Sequence, residues 1–315
     1  MNFKGIIKGL HHITATVSDA QEDYDFYTKL LGQRLIKETV NFDNENVYHF
    51  YYGNEIGAPS TIFTTFPYKG QRVKDGIIGA GQVFETVFSA PKNSLSYWES
   101  RLKNHQINFS KIKLFGKEKL TFKDPSGLNI AIIEDADDNR SPVWKTNEIS
   151  DQENILGIHH VVLAISNVEE TLQFLKVFGY EEISREGDYV QLSTSLGGAG
   201  NSLVVMDATG LPKGKNGIGT VHHVAHRVEK LEDSLKIKDY LVNELGLKVT
   251  EVKDRKYFQS IYFRIPGGVL FEIATEGPGF LVDETNEELG SSLKLPKWQE
   301  PHRARIEAGL LDYKK

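Results

Sequence analysis

Apolar residues recur at helical spacing in three stretches of the chain, and each stretch stops at a glycine. Tyr24, Tyr27, Leu30 and Leu31 share one helical face before Gly32. Val168, Leu172, Leu175 and Phe178 do so before Gly179, and Leu231 to Leu245 runs up to Gly246. Asp19, with Glu22 three residues on, reads as a capping box at the start of the first helix. A strand pattern follows each stop, at Gln33 to Val40, Tyr180 to Arg185 and Leu247 to Val252. Another strand leads into each helix. These leading strands open on Gly9-Leu10-His11-His12-Ile13, Gly157-Ile158-His159-His160-Val161 and Thr220-Val221-His222-His223-Val224, so histidine pairs occupy one place in a repeated pattern.

A fourth copy of the pattern lacks the pair. Gln82 to Ser89 is its leading strand, Ser94 to Leu102 its helix and Lys119 to Glu134 its closing hairpin. Its turn, Asp124-Pro125-Ser126-Gly127, corresponds to Ile265-Pro266-Gly267-Gly268, where proline fixes φ and glycine permits positive φ. Four strand-helix-strand-strand-strand units therefore run at about 10–67, 79–136, 157–207 and 220–276. The expected organisation is α+β: two βαβββ modules in 1–136, a linker over 137–156, two modules in 157–276 and a tail over 277–315. The polar stretch Asp135 to Gln152 carries most of that linker.

Composition narrows the chemistry. The 315 residues are 39% hydrophobic and 25% charged, enough to build cores, and the formal charge of -6 comes without a basic block. Nucleic acid and anionic membrane surfaces are poor partners for such a chain, and no run of about 18 apolar residues suggests a membrane span. Cysteine is absent, which removes disulfides, thiolate metal sites and cysteine nucleophiles, and fits the cytoplasm. A bound metal would need His, Asp, Glu or backbone oxygen, a set that suits iron, manganese or magnesium better than structural zinc.

Neighbouring residues of a strand point to opposite faces, so one histidine of each pair should reach a given site. The face of His11 continues as Ile13, Ala15 and Val17, suited to packing under a helix. That of His12 continues as Thr14 and Thr16, suited to a polar concavity. His12 is the better ligand candidate and, by analogy of position, so is His223. His160 continues as Val162 and Ala164, a drier face. Among the closing strands only Gly267-Gly268-Val269-Leu270-Phe271-Glu272-Ile273 carries an acid in its middle; Ala131 stands at the matching place in the second unit, and Glu134 lies near that strand's end. A glutamate between Phe and Ile is costly to bury unless a cation or hydrogen bonds satisfy it. Two histidines and a carboxylate leave adjacent coordination positions open, the arrangement of non-haem iron(II) oxygenases.

The repeated unit resembles the vicinal-oxygen-chelate superfamily, and within it the ring-cleaving dioxygenases of hydroquinones. The motifs are Leu10-His11-His12-Ile13-Thr14, Asp19 to Asp23, Gly32-Gln33-Arg34, Thr64-Thr65-Phe66-Pro67, His222-His223-Val224-Ala225 and Gly267 to Glu272. Leu295-Pro296 to Glu300, Arg303 and Ile306-Glu307 resemble the family's C-terminal segment. The resemblance implies two barrel-like domains, with the first and fourth units forming the metal-bearing one, and it implies His12, His223 and Glu272 as ligands. An arrangement pairing the third and fourth units would use His160 in place of His12. Around ligands and substrate the resemblance places His11, Thr14, His222, Arg255 and Tyr262. The function implied is iron(II)-dependent cleavage, with O2, of hydroquinone- or catechol-type dihydroxylated aromatics; manganese(II) is the alternative metal and a homo-oligomer the expected assembly. Three other readings share the fold: a glyoxalase-type lyase, which wants two acids at its metal; a metal-dependent thiol transferase conferring drug resistance, usually a shorter chain; and a non-catalytic drug-binding protein.

Overall fold

The computed structural model describes residues 2–141 and 144–315, so positions 142 and 143 of the expected linker lie outside the described residues. The first module is β1 (Leu10–Val17), α1 (Ala20–Tyr24), β2 (Arg34–Asn41), β3 (Asn44–Gly53) and β4 (Ile62–Pro67). The second is β5 (Gln82–Ala90), α2 (Leu95–Asn104), β6 (Phe109–Leu114), β7 (Lys117–Lys123) and β8 (Asn129–Glu134). The third is β9 (Gly157–Ile165), α3 (Val168–Val177), β10 (Glu181–Glu186), β11 (Tyr189–Ser193) and β12 (Ser202–Asp207). The fourth is β13 (Thr220–Val228), α4 (Leu231–Asn243), β14 (Lys253–Asp254), β15 (Gln259–Arg264) and β16 (Leu270–Thr275).

Hydrogen bonding gathers these strands into two eight-stranded sheets. One runs β14-β15-β16-β13-β1-β4-β3-β2, the other β10-β11-β12-β9-β5-β8-β7-β6. The first module thus shares a sheet with the fourth, and the second with the third, through antiparallel pairing of leading strands. The layers follow from the alternation of side chains. Ile13, Ala15 and Val17 enter the main apolar core with Phe26, Leu30 and Leu31, while the opposite face of β1 lines the concave side. Helix stops occur where expected, with Gly32, Gly179 and Gly246 at φ of +69°, +86° and +64°. Gly127 and Gly268 close the two matched hairpin turns at φ of +95° and +88°.

Two local expectations change, and one helix cap comes from a distant side chain. The first helix is α-helical only to Tyr24 and continues as a π-helical turn over Asp25–Leu30. That turn carries Tyr27 inward, where it stacks on Tyr52 and Phe63 at 5.0 and 4.8 Å. Asp19 does cap it, accepting from the amides of Gln21 and Glu22. In the second module Ser94 does not cap by its side chain; its hydroxyl donates to the Pro91 carbonyl, and Glu134 accepts from the Leu95 amide instead. Finally, Leu247 to Val252 is not a strand. The Thr250 hydroxyl accepts the Tyr262 amide hydrogen, displacing the backbone partner a ladder would use. Pairing with β15 is therefore reduced to a Val249–Phe263 bridge and the short β14.

The tail returns to the first module. Leu295, Ile306 and Leu310, the last two from or beside α5 (Arg303–Gly309), pack with Val40, and Leu293 pairs with Glu38 on β2. The buried Lys37 ammonium meets Asp283 at 2.6 Å and also Glu284. An edge strand is thereby covered rather than left open.

Candidate metal centre

The histidine pairs sit at irregularities in strand pairing. Between β1 and β13, Leu10 faces His226 and His12 faces Ala225, which leaves His11 without an opposite residue. Further along, Thr14 faces His223 and Ala15 faces Val221, which leaves out His222. The first histidine of each pair is thus the extra residue of a β-bulge, and a bulge re-aims side chains locally. Strict alternation would have put the two rings on opposite faces. Instead Nδ1 of His11 and His12 approach to 2.8 Å, and Nδ1 of His222 and His223 to 2.7 Å. Only one nitrogen of each such contact can carry the hydrogen. If His12 and His223 donate it, their Nε2 atoms keep a free lone pair.

Those lone pairs converge with Glu272. Nε2 of His12 and of His223 are 3.3 Å apart, and they lie 3.3 and 2.8 Å from Glu272 Oε2. Among the described residues, these three form the group of His, Asp and Glu side chains with ligand atoms mutually within 4.8 Å. Glu272 is fully buried, its Oε1 accepts from the Ser260 hydroxyl, and its Oε2 has no hydrogen-bond partner despite the nearby imidazoles. An unpartnered, buried carboxylate oxygen beside two imidazole nitrogens is what a cation would satisfy. Adjacent ligands about 2.1 Å from a metal lie about 3 Å from one another, so the spacing suits one face of a coordination sphere. The titration equilibria agree. Burial lowers His223 and brings His11 and His222 down to about 3, so all three are neutral imidazoles at physiological pH.

A cavity of about 540 Å³ opens above the two histidines. Phe42, Tyr51, Phe66, Tyr68 and Phe258 supply its aromatic wall, with Arg255, Tyr262, Thr14 and His222 among its polar members. Tyr262 faces Glu272 across the closing hairpin, as expected, and its ring lies 5.5 Å from that of His223. Arg255 Nε donates to the Tyr262 hydroxyl at 3.0 Å, and its far end reaches Asp43 at 3.3 Å. Burial and then the Glu272 charge push the Tyr262 phenol above its usual range, so it keeps its proton. His11 does not line the cavity; it sits behind His12, its ring against Phe258 at 4.9 Å. His160 lies on β9 in the other sheet, apart from His223 and Glu272.

Three neighbours, Ser260, Phe258 and His49, escape the sequence reading, and Thr64 enters it as a motif residue with no place assigned at the centre. Ser260 could have been reached by counting back along the hairpin from the Pro266-Gly267-Gly268 turn. Phe258 lies in the bend before β15, and Thr64 and His49 come from strands whose register no local pattern discloses.

A family profile described as "Glyoxalase/Bleomycin resistance protein/Dioxygenase superfamily" matches residues 9–132 and 157–273. "Putative ring-cleaving dioxygenase MhqO" of Bacillus subtilis is 43% identical over 306 residues, covering 97% of this chain and 96% of its own. "Chlorohydroquinone/hydroquinone 1,2-dioxygenase" of Sphingobium indicum is 37% identical, covering 92% and 91%. A solved structure of a "putative dioxygenase" from Bacillus subtilis superposes with a TM-score of 0.93 at 41% identity, covering 98% of both chains. Maize glyoxalase I, at 16% identity and a TM-score of 0.63 over 85% of this chain and 92% of its own, shares the fold. The chain belongs to the glyoxalase/bleomycin resistance protein/dioxygenase superfamily.

Proposed function

We propose that the protein is an iron(II)-dependent ring-cleaving dioxygenase acting on hydroquinone-type aromatic diols, with His12, His223 and Glu272 as the metal ligands. The observation that carries this reading is the donor set itself: two buried imidazoles that line an aromatic-walled cavity, with one unpartnered carboxylate oxygen beside them. The named activities of the relatives point the same way. Iron(II) would supply the redox chemistry that lets triplet oxygen react with a closed-shell ring, and manganese(II) is the alternative for the same ligands.

The remaining work falls to side chains. Phe66 and Phe258 present apolar faces that hold a flat ring and exclude water. The Tyr262 oxygen accepts from Arg255, which leaves its own hydrogen for an oxygen of the substrate, while the guanidinium offsets negative charge as the phenol is ionised. Thr14 accepts from Thr64, so its hydroxyl hydrogen is also free to point into the cavity. His11 and His222 fix the ligands' ring orientation from behind, as outer partners of metal-bound imidazoles do.

A lyase of the glyoxalase type wants a second acid at the metal. The sheet is two-fold by register: Glu272 flanks Ala225 opposite His12, and Thr64 flanks Thr14 opposite His223. Threonine therefore stands where the second carboxylate would be, which favours open positions and the oxygenase. The test is oxygen uptake by protein loaded anaerobically with iron(II), over hydroquinone, methylhydroquinone and catechol. We expect consumption matched to ring loss with hydroquinones; no uptake with any of them would overturn the reading.

A further inference from the structure

The two-fold register of the first sheet pairs more than ligands. Tyr262 faces Glu272 on one side, and Tyr51 faces Thr64 on the other. Two residues before these tyrosines stand Ser260 and His49. Ser260 hydrogen-bonds Glu272, and His49 hydrogen-bonds Thr64 through Nε2 at 2.9 Å. His49 is thus the counterpart, across the open side of the metal centre, of the residue that steadies the carboxylate ligand.

Its ring is held on three sides. The centroids of Tyr51 and Phe66 lie 4.1 and 4.2 Å away, and Thr64 fixes the edge. If the Thr64 hydroxyl gives its hydrogen to Thr14 at 2.9 Å, its oxygen accepts from His49, which is then the Nε2–H tautomer with Nδ1 bare. The bare Nδ1 has no hydrogen-bond partner among the described residues, and the ring lines the cavity. Burial, and then the charges of His12 and Arg255, hold the imidazole well below its ordinary range, so it stays a neutral acceptor. β3 is separated from β1 by β4, which sets His49 apart from the strands that carry His12, His223 and Glu272.

We infer that His49 is a substrate-positioning residue whose Nδ1 accepts a hydrogen bond from a ring hydroxyl that the metal does not hold. This rests on the reading of the cavity as an aromatic-diol site and deepens it. A 1,2-diol presents both oxygens side by side to a metal. A 1,4-diol sends its second hydroxyl to the opposite end of the ring, where it needs a partner of its own. His49 selects for that second class, a hydroxyl donor remote from the metal-bound oxygen. Thr14, at the other end of the same hydrogen-bonded chain, ties this recognition to the strand that carries His12.

The test is binding rather than turnover. Iron(II)-loaded protein is titrated calorimetrically without oxygen, using hydroquinone, phenol and 4-methoxyphenol. The wild type should prefer hydroquinone over both others by about 3–10-fold, the value of one net hydrogen bond. His49→Phe keeps an aromatic ring without the acceptor. It should lose the preference while phenol affinity and metal content stay unchanged, and His49→Asn, which restores an acceptor near Nδ1, should recover part of it. A His49→Phe protein that keeps wild-type metal and the full preference would overturn the inference, as would a wild type that binds phenol and hydroquinone alike. Oxygen uptake by the wild type decides the dioxygenase reading separately, because the binding ratio is read whether or not the ring is cleaved.

Discussion

The two sheets share one plan and put different chemistry at its centre. In the first, His12 faces Ala225 and Thr14 faces His223; in the second, Glu85 faces Val162 and Val87 faces His160. Bulges recur as well, at Phe84 and His159, and the His159–His160 pair repeats the Nδ1 contact at 2.7 Å. The carboxylate position beside Val87 is Ala131, and the place of Ser260 is taken by Lys119, whose ammonium pairs with Glu85 in a buried contact. Where the first sheet gathers ligands, the second gathers Val87, Ala131, Val162 and Val204 into an apolar cluster. Its histidine pair turns elsewhere, with His159 Nε2 3.2 Å from Asp135. The buried acids at the two centres are met differently. The second sheet sets a lysine ammonium against Glu85, whereas the first sets imidazole nitrogens against Glu272, a set that suits a metal cation.

The comparison breaks most visibly if the histidines are exchanged for alanine. His12→Ala or Glu272→Ala should abolish stoichiometric metal and cut activity by more than the about 10–100-fold that losing an outer-shell partner costs. His160→Ala should leave metal content and oxygen uptake as they are. Elemental analysis beside oxygen-electrode rates reads both, and metal loss on His160→Ala would mean that the second sheet is not the inert partner described above.

Next in size is the lysine. Lys119→Met leaves Glu85 buried without a counter-charge, a change that costs about 3–5 kcal/mol when one member of a buried pair is removed. Adding Glu85→Leu should return stability to the starting value or above it, since a well-packed apolar pair often replaces a buried ion pair without loss. Denaturant titration of the two variants measures this. Equal destabilisation of single and double variants would show that the pair does not balance as proposed.

A smaller effect separates the outer histidines. His11→Phe and His222→Phe should each weaken metal binding by about 10–100-fold through loss of the partner that orients the ligand, whereas His159→Phe should not alter it. Competition with a chromophoric chelator gives the three affinities. Wild-type metal affinity in His11→Phe and His222→Phe would remove these residues from the centre.

These contrasts also mark what the chain discloses before folding. Module order, helix stops and hairpin turns are local: Gly32, Gly179, Gly246 and the Pro266-Gly267-Gly268 turn carry them in a few adjacent residues. Glu272 is legible because an acid in an apolar strand is costly, and the drier face of His160 follows from Val162 and Ala164. The bulges are not legible, because each exists only between strands more than 70 residues apart (His11 opposite β13, for example) and depends on their register. That is why alternation alone suggests that His11 and His12 part company, when in fact their rings touch. The places of His49 and Thr64 escape for the same reason. Only the pairing of β3, β4 and β1 brings them to the open side of the centre.

The subtlest test asks whether a few positions suffice to turn one sheet into the other. Lys119→Ser frees Glu85 and restores the hydroxyl that Ser260 supplies, and Ala131→Glu places a carboxylate where Glu272 stands. With His160 already a neutral imidazole, lowered by burial and then by His159 and Lys119, the double variant presents one nitrogen and two carboxylates around the space the ammonium vacates. Equilibrium dialysis against manganese(II) should then find a second, weaker site in addition to the first. It should be weaker because the surrounding valines and alanines were packed for a dry interior and offer no outer hydrogen bonds to fix the new ligands. A folded double variant that still binds one ion would locate the difference between the sheets in that outer packing rather than in the ligand positions. Lys119→Ser/Ala131→Glu/Val162→Thr, which supplies the counterpart of Thr14, would then be the variant in which the second site appears.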